Sequence, residues 1–225
     1  MHTKSLLATL VAGSIAVGLS QAGERHTRDG DEHDVNHINS SIRIDDNGRA
    51  EDLHTVNGSI RVGDHAEIKA AKTVNGSVSV GQDSRADTLA TVNGRIEIDK
   101  RSTVAGDVTT VNGRITLNDD VTVKGNVKNV NSKISLEPRA HVGGQIVTTT
   151  GDITLQEKAR VDGGILVRRA NNWHGTYDTD RHIPLITIGP GAEVGGELNF
   201  EWEVKLRVHT TAKIGAVKGA EVERY

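Results

Sequence analysis

Asparagine returns through this chain at Asn39, Asn57, Asn75, Asn93, Asn112 and Asn131, in steps of 18, 18, 18, 19 and 19 residues. A side-chain amide offers two donors and an acceptor. Such a series can bond to itself as a ladder or present a row of amides to a ligand. Carboxylates recur less strictly, at Asp64, Asp83, Asp99 and Asp119. Paired carboxylates hydrolyse glycosidic bonds, and clustered ones hold Ca²⁺. These four are offset from one another by a residue or two. They stand in turn-forming contexts without a repeated Arg or His beside them, and read as turn formers. His65 and His141 are the coil histidines placed to serve an acyl transfer, and neither shows a partner in the sequence. There is no Ser-His-Asp order, phosphate loop or Gly-Gly-x-Gly-x-Asp calcium repeat. His26, His33 and His37 lie beside Asp29, Asp31, Glu32 and Asp34. These are metal-competent types, but the stretch has no hydrophobic period and reads as a flexible polar arm over 23–38. We assign no catalytic residue, metal or cofactor and expect no enzyme.

The elements that position the asparagines are short and repeated. Thr55-Val56-Asn57-Gly58-Ser59-Ile60-Arg61-Val62 returns as Thr73-Val74-Asn75-Gly76-Ser77-Val78-Ser79-Val80. It returns again from Thr91 to Ile98 and from Thr110 to Leu117. Each unit has a second half of the form small-x-β-branched-x-Gly-x-β-branched, as in Ala140 to Ile146 and Ala159 to Ile165. Period-2 alternation marks short, half-buried strands. A unit of 18 or 19 residues with about three such strands is one coil of a parallel β-helix. The fold class is therefore all-β: a single-stranded parallel solenoid whose coils stack about 4.8 Å apart.

Stacking turns repeats into columns. Ile60, Val78, Ile96, Ile115, Ile134 and Ile153 form one core column, and Val62, Val80, Ile98, Leu117, Leu136 and Leu155 a second. Val56, Val74, Val92, Val111 and Val130 are expected as a third. The asparagines read as a structural ladder, because an amide buried at a bend without partners costs about 1–3 kcal/mol. Composition agrees with a thin core: hydrophobic residues are 35% of the 225 and aromatics only 2%. The formal net charge of −3 gives no basic footprint for nucleic acid. The absence of cysteine removes disulfides and thiolate metal sites.

The N-terminus reads as an export signal over 1–22. Lys4 is the positive region, Ser5 to Leu19 the apolar stretch, and Ser20-Gln21-Ala22 places cleavage after Ala22. The protein is thus expected in the periplasm or at the cell surface, with no transmembrane segment in the mature chain. The solenoid is expected over 39–218, followed by a short charged tail over 219–225. Ile153 to Ile186 is 33 residues against an ordinary step of 19, an insertion of 14 at about 169–184. It carries Arg169, Trp173, His174, Tyr177, Arg181 and His182. A loop of this composition on a rigid scaffold is the candidate partner-binding site.

Ile186-Thr187-Ile188-Gly189-Pro190-Gly191-Ala192-Glu193-Val194-Gly195-Gly196-Glu197-Leu198 resembles a bactofilin repeat, and the Val-Asn-Gly-x-Ile-x-Val units resemble those of DUF4097-type putative adhesins. The resemblance spans about 39–218. It implies a right-handed helix that polymerises end to end without nucleotide. Bactofilins are typically cytoplasmic, and the export signal departs from that pattern. The expected function is a non-enzymatic, self-associating envelope or surface scaffold. The alternative is an adhesin or glycan-binding module using the 169–184 loop.

Overall fold

The computed structural model describes residues 25–27, 34–169 and 182–225. Every described element is a strand, and every pairing is parallel. Eleven strands form one ladder, from Arg25–Thr27 through Ile42–Ile44 and Ile60–Val62 to Val222–Arg224. Ten steps at parallel-strand spacing give a rod about 48 Å long. A second sheet of sixteen strands supplies the other two faces of each coil. The register follows the repeat: Ile42 pairs with Ile60, Ile60 with Val78, Val78 with Ile96 and Ile96 with Ile115. The chain is therefore a β-solenoid, as its periodicity predicts. Among the described residues no helix is long and apolar enough to cross a membrane.

The change of period from 18 to 19 has a local cause. In the shorter coils the second and third faces are one strand of seven residues, Arg49–Thr55, Glu67–Thr73 and Arg85–Thr91. Thr103 pairs with Arg85, 18 residues back, but Val108 pairs with Leu89, 19 back. The extra residue enters at Ala105-Gly106-Asp107 and splits the strand into Thr103–Val104 and Val108–Thr109. A gentle bend thereby becomes a corner, and Gly106, Gly125, Gly144 and Gly163 stack along it.

The core is a thin prism of stacked aliphatic residues. Ile60, Ile96, Ile98, Ile115, Leu117 and Ile134 are fully buried. In the 18-residue coils large and small residues alternate: Ala50 goes with Leu53, Ile68 with Ala71, and Ala86 with Leu89. Each coil thus supplies one bulky and one small side chain across the same width, which keeps the interior filled. Phe200, the chain's one phenylalanine, is 4% exposed and belongs to this core.

Three expectations are corrected. The valine row of the Val-Asn-Gly corners does not join the continuous core, although Val111 and Val130 are themselves buried. Val56, Val74 and Val92 are only half-buried. The core position is taken instead by the preceding threonine and by Leu53, Ala71, Leu89 and Val108. The strands also run past both expected boundaries. Val35–His37 pairs with Leu53 to Thr55, and Arg25–Thr27 with Ile42–Ile44, inside the stretch read as an arm. Val222–Arg224 pairs with Leu206 to Val208, inside the stretch read as a tail. Residues 1–24 and 28–33 lie outside the described residues, and with them the export signal.

Candidate functional surface

The Val-Asn-Gly corner is held by two ladders. Asn57 Nδ2 donates to Asn39 Oδ1 at 2.9 Å, and the pattern continues through Asn75, Asn93 and Asn112 to Asn131 at 2.8–2.9 Å. Thr150 Oγ1 closes the row on Asn131 Oδ1 at 2.8 Å. Asn57, Asn75, Asn93 and Asn112 are exposed. The ladder is therefore not a rescue of buried amides. Each amide spends one N–H and one lone pair on its neighbours and shows the rest to solvent.

The second ladder is the buried threonine that precedes each valine. Thr55, Thr73 and Thr91 donate their hydroxyls at 2.9 Å to the carbonyls of Ser40, Gly58 and Gly76. This is why a polar residue sits 0% exposed in an apolar prism. The repeated glycine answers the same close approach. Gly58, Gly76 and Gly94 are not in the left-handed region. A Cβ on Gly94 would stand 2.5 Å from the carbonyl carbon of Gly76.

The left-handed positions lie at another corner and are mostly not glycine. Asn47, His65, Asp83, Arg101, Asp120, Arg139 and Lys158 have φ of 55–62°, and Gly191 continues the column at 65°. Each is the third residue of a turn, as in Ala140 N to Glu137 O at 3.1 Å and Ala192 N to Gly189 O at 3.2 Å. A positive φ at that position is the mark of a type II turn, and Pro138 and Pro190 fill the favoured second position. This stacking places Arg101 on Asp83, with Nε and Nη2 bonds of 2.8 and 2.6 Å. It likewise places Arg139 on Asp120 at 2.7 and 2.7 Å. Each guanidinium, chiefly through its hydrogen bonds, holds the facing carboxyl below the usual carboxylate range. Of the four carboxylates read as turn formers, Asp83 thus has an arginine partner one coil away, while Asp64 accepts from Gln82 N and Nε2 at 3.0 and 3.1 Å. Charge complementarity at the 18–19 spacing was the signal for the arginine pairs.

The remaining candidates resolve into surface contacts. His65 is exposed on its turn. His141 does have a partner: Nε2 lies 2.8 Å from Asp162 Oδ2, while Arg160 Nε donates to Asp162 Oδ1 at 2.6 Å. The Arg160 bond, then His141, lowers the Asp162 carboxyl. Glu193 follows, bonded to Arg160 at 3.3 Å and Lys213 at 2.8 Å, so the group forms a charge chain along one face. Among the described residues no cluster of three His, Cys, Asp or Glu is placed to hold a metal ion. A further ladder stands at the Gly106 corner, where Asn126 N and Nδ2 donate to Asp107 Oδ1 and Lys128 Nζ to Oδ2 at 2.6 Å.

The 14-residue insertion leaves the solenoid at the asparagine corner, directly above Thr150. Its two feet are tied down. Arg169 N donates to Glu201 Oε2 at 2.9 Å. Asp152 Oδ1 receives Leu185 N at 2.8 Å and faces His182 Nε2 at 2.9 Å. Trp202 packs, partly buried, against the core and donates Nε1 to Thr149 O at 3.1 Å. Trp173, His174, Tyr177 and Arg181 lie outside the described residues. No family model matches the chain, and no curated protein or solved structure matches it.

Proposed function

We propose that this chain is a non-enzymatic, exported structural solenoid whose rods associate end to end as a scaffold of the cell envelope or surface. The observation that carries this reading is the uncovered edge at the C-terminal coil. Val222–Arg224, Lys213–Ile214 and Val217–Lys218 are the last strands of their ladders, and among the described residues nothing pairs onto them. Ile42 N and Ile60 N reach forward to Ser59 O and Ser77 O of the following coil. Val222 holds the same register position, in line with Leu206, so its N–H points off the end. Beside it Ile214 and Val217 are half-buried, and Val222 is 38% exposed.

Unpaired strand edges template further pairing. The first described strands at the other end belong to the same two sheets. One rod can therefore continue the register of the next, and a heterologous contact of this kind builds an open filament. Export is supported by the Lys4 to Ala22 stretch. The test is negative-stain electron microscopy with sedimentation velocity across a concentration series. Thin filaments lengthening with concentration are expected, and Val222→Lys, which places a charge on the seam, is expected to leave discrete rods. Monomer at every concentration would refute the reading.

A second reading is favoured by the pinned feet of the 169–184 loop, which would hold a partner- or glycan-binding loop at a fixed place on the rod. Loss of surface binding on deleting 171–180, with rod assembly intact, supports it.

A further inference from the structure

Several stacked charges among the described residues face their opposite one coil away. Glu51 meets Lys69, Asp83 meets Arg101, Asp120 meets Arg139, and Glu193 bridges Arg160 and Lys213. A row of three like charges departs from that pattern. Arg95, Arg114 and Lys133 follow the asparagine corner in three successive coils. Their carbonyls receive Val78 N at 2.9 Å, Ile96 N at 2.8 Å and Ile115 N at 3.0 Å, which stacks them in strict register. Like charges directly opposite one another destabilise a sheet. Arg95 and Arg114 are exposed and Lys133 is half-buried, and none makes an ion pair or side-chain hydrogen bond among the described residues.

We infer that the Arg95–Arg114–Lys133 row is a binding stripe for an anionic polysaccharide lying along the rod axis. The stripe repeats its charge at the coil spacing of about 4.8 Å. On one side run Asn93, Asn112 and Asn131, each with an N–H left over from the ladder. On the other run Glu97, Thr116 and Ser135, which are in register with one another. Ser135 is buried, so the neutral groups beside the line of cations are the three amides and the half-buried Thr116 hydroxyl, which suit a chain bearing one carboxylate or sulfate per sugar among hydroxyl groups. Nucleic acid is the poorer fit. Single strands bind on aromatic platforms, and the described aromatic at this corner, Trp202, is half-buried with Nε1 spent on Thr149 O.

Two neighbours limit the stripe. Glu97 faces it at the Arg95 level, and Asp152 ends it above Lys133, with Oδ1 already engaged by His182 and Leu185. Arg43 and Arg61 also stack, nearer the N-terminal end, but they share their groove with Asp45, Asp46, Glu97 and Asp99.

The inference does not rest on end-to-end association, since Val222→Lys is expected to bind alike. The probe is fluorescently labelled polygalacturonate, with neutral dextran and single-stranded DNA as comparisons, titrated with the full chain at several salt concentrations. Three contacts predict a log–log salt slope of about −2, at roughly 0.7 per released counterion. R95S/R114S/K133S is expected to weaken binding at least tenfold and flatten the slope. Ser59 and Ser77 already occupy this position, so its circular dichroism and melting should match wild type. Glu97→Thr should tighten binding, and R49S/K69S/K218S, which removes the same charge elsewhere, should leave it unchanged. Wild-type affinity in the stripe variant, equal binding of dextran, or preference for DNA over polygalacturonate would each overturn the inference.

Discussion

Gly94→Ser tests the packing of the asparagine corner most directly. A Cβ there would lie 2.5 Å from the carbonyl carbon of Gly76. Carbon atoms rest at about 3.5–4.0 Å, so the two coils must part locally by roughly 1 Å. The Thr91 hydroxyl bond to Gly76 O at 2.9 Å and the Asn93 amide bond to Asn75 at 2.9 Å are both stretched. Two bonds at about 1 kcal/mol each, with overpacking of about 1–3 kcal/mol, give an expected loss of about 3–5 kcal/mol. The chain itself contains the compensation. Ser132 stands where Gly58, Gly76, Gly94, Gly113 and Gly151 stand in their coils, and in the Ser132 coil Asn129 takes the place of the buried threonine. Its longer side chain reaches Gly113 O at 2.7 Å across the corner. Thr91→Asn should therefore destabilise by itself, through overpacking at a fully buried site. Combined with Gly94→Ser it should recover about 1–2 kcal/mol of the summed loss, a coupling of the size seen between contacting residues. Recovery stays partial because Asn129 Oδ1 is buried without a hydrogen bond. Urea denaturation of the four proteins, followed by far-UV circular dichroism, measures the cycle. Strict additivity, or a Gly94→Ser cost below about 1 kcal/mol, would refute steric contact as the reason for the glycine column.

Asn75→Ala removes a rung bonded at 2.8 Å below and 2.9 Å above. It should cost about 1–2 kcal/mol in denaturant unfolding, against roughly half that for Asn39→Ala, which is bonded to Asn57 alone in the ladder. The Asp83 and Asp120 carboxyls titrate below their ordinary range when folded. Their stabilising effect is therefore full above an unfolded value near 3.9 and is lost as pH falls through the lowered folded values. Replacing both Arg101 and Arg139 with Met should shrink the acid-side slope of the denaturation midpoint, read between about pH 2 and 5.

What the sequence determines by itself is whatever stacking repeats unchanged. A residue that recurs every 18 or 19 positions must lie over its own copy, so the parallel coils, the two Ile/Val columns and the asparagine ladder all follow from spacing. The insertion between Ile153 and Ile186 is legible for the same reason, as a break in the period. Only the tertiary structure decided what happens at the corners. Strand alternation says which way Ile60 and Val62 face, but a corner resets it, and Val56 turns outward while Thr55 goes in. Coil-to-coil backbone distance, not backbone dihedral, accounts for the repeated glycine. The left-handed turn residues are instead Asn, His, Asp, Arg and Lys, types that carry no sequence mark of positive φ beyond Asn and Asp. The Arg101–Asp83 and Arg139–Asp120 pairs follow from that stacked turn, since residues 18 or 19 apart become neighbours only when the coils close. The strands at Arg25–Thr27 and Val222–Arg224 were equally hidden. Their residues are mostly polar, and what holds them in the ladder is the edge of the coil beside them.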